Sequence, residues 1–231
     1  MPIVVAFISQ KGGVGKSTLA RALAAVAAHG GLKVLLADLD PRQRTVLQWQ
    51  QARKENKVSP RITVAGFENV IDALAASSKS ELVILDTPGR IDASTLAIAT
   101  RAHLVVQPTG PSVDDLHPTV LVFHELTRAG IPKSRLIAAL CRVLLDEEEV
   151  AARSYLEEAG YAVLPGSIPE SANYRIAHNK GRSLTETAER SLNERADALM
   201  ESLLSKIAAL METASERDGT RKKGLFVKSC G

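Results

Sequence analysis

Apolar residues in this chain come in short unbroken runs, separated by stretches in which they recur every three or four positions. Ile3 to Ile8 is the first run, and continuous apolarity of that length predicts a strand buried on both faces. Lys33–Asp38 predicts a second strand. Ile62–Ala65, Leu82–Asp86, His103–Gln107 and Leu136–Arg142 predict four more, with a short one at Tyr161–Leu164. Helical spacing predicts helices over Ser17–His29, Gln43–Lys54, Asn69–Ala76, Ala93–Arg101, Val113–Ala129 and Glu147–Ala159, and a long one over Glu186–Met211. Gly30-Gly31 stops the first of them. Strand–helix alternation demands right-handed crossovers, so the expected fold class is α/β. It has three layers, a mostly parallel twisted sheet with helices on both faces. There is no internal repeat, and no linker before residue 213. One domain is expected over residues 1–213, followed by a basic, disordered tail over 214–231.

Composition narrows this picture. The 231 residues suffice for one sizeable core, and 45% hydrophobic with 24% charged residues is ordinary for a soluble protein. Aromatic residues are only 3%, so the core is aliphatic, and a base-stacking RNA module is disfavoured. The net charge of +3 resides in the stretch from Glu216 to Gly231, leaving the body neutral. Any nucleic-acid contact must therefore come from a local patch or from the tail. Cys141 and Cys230 lack metal-type spacing, which argues against a disulfide scaffold, a zinc site or a cluster held by this chain alone. The apolar N-terminus lacks a basic leader and is too short to span a bilayer, so a cytoplasmic protein is expected.

The first strand runs into Gln10-Lys11-Gly12-Gly13-Val14-Gly15-Lys16-Ser17-Thr18, with a helix behind it. Small residues let backbone N–H groups crowd around a phosphate, and the helix N-terminus adds its positive end. Lys16 is placed to reach the β- and γ-phosphates, the Ser17 hydroxyl to ligand Mg²⁺, and Thr18 to lie near the α-phosphate of ATP. Two acidic segments end neighbouring strands, Asp38-Leu39-Asp40-Pro41 and Asp86-Thr87-Pro88-Gly89. Strand C-termini are where open parallel sheets bind ligands. Asp86 fits the Walker B part, holding Mg²⁺ directly or through water. Helix and loop capping is the alternative for these aspartates.

The loop departs from the ordinary P-loop: Gln10 stands where its first glycine belongs, and Lys11 precedes Gly12-Gly13. This is the deviant Walker A form, and the chain resembles the ParA/MinD ATPases from Ile3 to about Leu210. Within them, Asp40-Pro41-Arg42-Gln43, Trp49, Val105–Thr109, Ser112–Leu116, Ser167–Glu170, Tyr174-Arg175 and Ala177–Gly181 look like the small plasmid-partition ParA proteins. The resemblance implies that Lys11 crosses a homodimer interface to the partner's nucleotide, and that Asp40 orients the attacking water. Asp38 would support the metal shell. Arg142 stands near where relatives contact adenine. It further implies weak basal ATPase activity, stimulated by a centromere-binding adaptor of ParB or ParG type. Non-specific DNA binding in the ATP state would give nucleoid association. Arg175, Lys180, Arg182, Arg190, Arg195 and Lys206 are basic residues in the region that carries DNA binding.

Three other readings share the loop. A positioning ATPase with a protein cargo, or a conjugation factor, would run the same cycle. A MinD-like membrane ATPase would use Lys222–Lys228 as an amphipathic anchor, although three apolar residues bury too little area to hold firmly and no membrane association is expected. A binding module with vestigial hydrolysis is opposed by Asp40. An enzyme like the nitrogenase iron protein would need paired cysteines that the chain lacks.

Overall fold

Alternate residues of each strand face opposite ways, and this sorts the core into two layers. Ile3, Val5 and Phe7 join one cluster and Val4, Ala6 and Ile8 the other, all essentially inaccessible to solvent. The computed structural model describes residues 1–90 and 93–217. Its strands are β1 (Ile3–Phe7), β2 (Val34–Asp38), β3 (Thr63–Gly66), β4 (Leu82–Asp86), β5 (Leu104–Thr109), β6 (Leu136–Val143) and β7 (Ala162–Pro169). The helices are α1 (Lys16–His29), α2 (Thr45–Glu55), α3 (Val70–Ala75), α4 (Ala93–Arg101), α5 (Val113–Arg128), α6 (Asp146–Glu158), α7 (Ala172–Asn179) and α8 (Arg190–Arg217).

The seven strands form one sheet in the order β3-β2-β4-β1-β5-β6-β7, and every ladder is parallel. Burial on both faces explains why β1, β2 and β4 read as unbroken apolar runs. Residues of α1, α2, α7 and α8 pack on one face, and those of α3, α4, α5 and α6 on the other. Trp49, on α2, is buried in the first layer and donates from Nε1 to the Arg182 carbonyl at 2.9 Å.

The ends of the chain depart most from the expected elements. β7 runs on to Pro169 rather than stopping at Leu164; Pro165, Gly166 and Pro169 broke the apolar pattern. An edge strand with register shifts against β6 accommodates such residues. α7 was not foreseen as a helix. It is only eight residues long, and the Ser171 hydroxyl caps it by accepting from the Asn173 N–H at 3.1 Å. The last helix spans Arg190–Arg217 rather than Glu186–Met211. Residues 218–231, with most of the basic tail and the possible Lys222–Lys228 anchor, lie outside the described residues. Among the described residues no helix is long and apolar enough to cross a membrane.

Candidate functional site

The glycine-rich loop leaves β1 at the centre of the sheet. Ser9 Oγ accepts from the Lys11 N–H at 3.2 Å, and the backbone then turns through left-handed conformations at Gly13 (φ +75°) and Gly15 (φ +115°). A side chain at either position would be strained, and a Cβ on Gly15 would also lie 3.3 Å from Cys141 Sγ. Gly15 is the N-cap of α1 and supplies no side-chain acceptor, so the first N–H groups of the helix await an anion. Lys16 turns inward, only 7% exposed, and its Nζ donates to the Lys11 carbonyl at 3.0 Å. Burial lowers its pKa, against the charges of Asp86 and Asp40.

Strand order brings the carboxylates to this loop. β4 lies between β1 and β2, and Asp86 is in register with Phe7 on one side and Asp38 on the other. Asp86 is 2% exposed, and its Oδ1 has no hydrogen-bond partner. Burial pushes this carboxyl up to about 7, with Asp38 adding to the effect and a Ser17 hydrogen bond, Arg21 and Lys16 opposing it. Asp38 spends both oxygens on backbone: Oδ1 on the Asp40 N–H at 3.0 Å, Oδ2 on the N–H groups of Val46 and Leu47 at the start of α2. That is the capping alternative made visible, and burial raises its pKa as well. Asp40 uses one oxygen, Oδ1, to hold the turn through Arg42 and Gln43 N–H groups. Gly89 closes over the loop, where a Cβ would stand 3.2 Å from Gly12 Cα and 3.4 Å from Lys16 Nζ.

The two lysines of the loop face different ways. Lys11 Nζ reaches outward to Asp115 Oδ1 on the first turn of α5, at 2.9 Å. Gly110 makes room for that carboxylate; a Cβ there would collide with it.

A cavity of about 340 Å³ opens beside the loop. Val14, Thr18, Cys141, Arg142, Tyr174 and His178 are among the residues lining it. Burial pushes the Cys141 thiol up to about 12, so it packs as an apolar group. Arg142 adopts φ +62° and pairs with Glu170 at 3.2 Å, and Arg175 pairs with the same carboxylate at 2.8 Å. A second cavity, about 380 Å³, lies beyond Asp40 and is lined by Asp38, Arg44, Phe67 and Glu68.

The loop, Asp38, Asp40 and Asp86 are thus brought together, whereas Arg142 lines the first cavity with the loop and without those carboxylates. The six basic residues of the C-terminal region do not form one free patch. Arg175, Arg190 and Arg195 pair with Glu170, Glu194 and Glu149, and Arg182 donates to the Glu186 carbonyl. Among the described residues Lys180 and Lys206 are exposed and carry no ion pair. Three residues escaped the sequence reading. Asp115 had been noted only within a motif, and its link to Lys11 spans 104 positions. Arg21 interrupts the apolar run Leu19–Ala25 of α1, a signal that was there to be read. His178 had been quoted only as part of Ala177–Gly181.

Comparison with known proteins accords with this arrangement. The family described as the CobQ/CobB/MinD/ParA nucleotide binding domain matches residues 5–184. A carboxysome-distribution protein A from Gloeobacter kilaueensis is 28% identical, covering 79% of this chain and 84% of the relative. The chromosome-partitioning ATPase Soj of Thermus thermophilus is 29% identical, over 71% of this chain and 81% of its own. The structure of a plasmid partition protein from Borrelia burgdorferi bound to AMPPNP superposes with a TM-score of 0.70 at 18% identity, covering 89% of this chain and all of that one. The parallel sheet with its flanking helices is thus the MinD/ParA P-loop fold.

Proposed function

The chain belongs to the CobQ/CobB/MinD/ParA nucleotide-binding family, and from that premise we propose that it is a ParA-type partition ATPase. In this reading it dimerises with MgATP, binds DNA without sequence preference in that state, and hydrolyses ATP slowly until an adaptor protein stimulates it. One observation carries the reading: a single loop holds two lysines with opposite orientations. Lys16 is buried among carboxylates at the helix N-terminus, whereas Lys11 is half-exposed and, among the described residues, pairs with Asp115. An inward lysine suits the chain's own nucleotide; an outward one suits the nucleotide of a second copy.

The phosphates lie on the Gly12–Thr18 backbone, with Lys16 neutralising the β- and γ-phosphates. The orphaned, buried Asp86 Oδ1 beside the Ser17 hydroxyl fits Mg²⁺, which takes one or two protein oxygens and completes its shell with phosphate and water. Mg²⁺ supplies charge neutralisation there. Asp38, with its oxygens on backbone N–H groups, holds the β2–α2 turn behind the metal. Asp40 orients the attacking water with the oxygen its turn leaves over. Phosphoryl transfer needs positioning and charge more than a strong base, so slow basal turnover follows.

The test is binding to a non-specific duplex at fixed moderate salt, with no nucleotide, MgADP or MgATP, for wild type and Lys11→Ala. Binding only with MgATP, lost in the variant and weakening steeply with salt, is expected. No DNA binding in any nucleotide state would overturn the partition reading. A second reading, positioning of a protein cargo by the same cycle, draws on the similarity to the carboxysome-distribution protein. It differs in the adaptor that stimulates hydrolysis.

A further inference from the structure

We propose that Arg21 is a positioning residue for hydrolysis: from α1 it fixes the start of α2 and, through it, the turn that carries Asp40. The proposal rests on the ATPase reading of the site and deepens it.

The turn has little of its own to hold it. Pro41, Arg42, Gln43 and Arg44 are all exposed, so packing does not fix where Asp40 stands. Arg44, the N-cap of α2, adopts φ +49°, a left-handed conformation uncommon for a residue with a side chain, and makes no capping hydrogen bond. Two anchors from outside the turn close it instead. From β2, Asp38 takes the Asp40 N–H on one oxygen and the Val46 and Leu47 N–H groups on the other. From α1, Arg21 donates from a terminal guanidinium nitrogen to the Thr45 carbonyl at 2.8 Å. Asp38 thus holds donors of the first turn of α2, and Arg21 holds its first acceptor. Since α1 begins at Lys16 of the glycine loop, Arg21, little more than one helical turn further on, ties the Asp40 turn to the element that receives the phosphates.

Burial argues against a merely space-filling part. Arg21 is 7% exposed in a stretch otherwise built of buried leucine and alanine. Among the described residues no carboxylate forms an ion pair with it, and its Nε has no partner. The Trp49 ring centroid lies 5.8 Å from its guanidinium carbon. A charge so incompletely met costs stability relative to an apolar side chain of similar length. Burial pushes its pKa down to about 10, against the opposing charges of Asp86 and Asp38. A residue that weakens the core and makes one short hydrogen bond, to the start of α2, is accounted for by what that bond positions.

The experiment measures partner-free turnover at saturating MgATP, MgADP affinity by calorimetry and melting temperature, for the full chain as wild type, Arg21→Met and Arg21→Lys. Arg21→Met keeps the stem and removes the donor. Its turnover should fall about tenfold, the lower end of what a hydrogen bond from a charged donor is worth, while MgADP binds within about twofold of wild type. Its melting temperature should equal or exceed that of wild type, because an incompletely met charge has left the core. Arg21→Lys, which can still donate to the Thr45 carbonyl, should recover most of the turnover. Arg21→Gln takes the place of the methionine variant should that one not fold. Unchanged turnover in Arg21→Met overturns the proposal, as does a fall in turnover accompanied by weaker MgADP binding and a lowered melting temperature, the pattern of a structural residue. Wild-type turnover no higher than that of Lys16→Ala would overturn the ATPase reading itself, and any positioning role with it.

Discussion

Two clusters of buried charge lie against Trp49, and they are finished to different degrees. In one, Arg53, 5.3 Å from the ring centroid, clamps Glu186 through both terminal guanidinium nitrogens at 2.7 and 2.8 Å. Its remaining donors go to the carbonyls of Ser59, Pro60 and Gly181. In the other cluster Arg21, 5.8 Å from the same ring, gives one bond to the Thr45 carbonyl, and its Nε has no partner. Nearby, Asp86 Oδ1 and His178 Nε2 are also unpartnered. The fold can satisfy a buried charge completely, as Arg53 proves. The shortfall at Arg21 and Asp86 is therefore informative, because it lies where a charged ligand would complete the bonding; Gln107, Arg135 and Tyr161 also carry stranded atoms.

The pKa directions separate the clusters in the same way. Although burial works against it, the Arg53 and Ser183 hydrogen bonds hold Glu186 below the usual carboxylate range, whereas Asp86 is raised to about 7. The consequences for stability have opposite signs. Glu186 contributes stability that is present above its unfolded value and lost as pH falls through its lowered folded value. Asp86 binds its proton more tightly folded than unfolded, so its ionisation removes stability as pH rises from about 4 through 7.

Three changes would break or sharpen the contrast. The largest effect belongs to Arg53→Ala, which strands Glu186 in the interior: urea unfolding at neutral pH should show a loss of about 3 to 5 kcal/mol. Nucleotide affinity of the folded fraction should be preserved, and a parallel loss of affinity would show that the clusters are not separable. Asp86→Asn should go the other way. At pH 8 the nucleotide-free variant should be more stable than wild type by on the order of 1 to 3 kcal/mol, the gain fading toward pH 4, while ATP hydrolysis is lost. A stability difference that does not vary with pH would contradict the assignment of a raised carboxyl. The smallest effect is expected for Asp115→Asn, since its partner Lys11 is 41% exposed: less than about 1 kcal/mol in the same unfolding measurement.

The same contrast explains what could be read from the sequence. The loop was legible because anion binding restricts residue types over consecutive positions, from Lys11 to Thr18. Asp38 and Asp86 were legible because each ends an apolar run, and β1, β4 and β2 then set them side by side. Links between distant positions left no such trace: Arg53 finds Glu186 across 133 residues, and Lys11 finds Asp115 across 104. The second half of β7 hid behind Pro165 and Gly166, residues that usually mark a turn and are tolerated here at a sheet edge.

Trp49 is the only tryptophan in the chain, and its indole lies near both the arginine of the completed cluster and that of the incomplete one. Its emission depends on the field and packing of both neighbours, and one of them adjoins the glycine loop. The molecule therefore carries an optical probe of its own, free of dye or label, in which a change of light from one ring reports a change of charge at the loop.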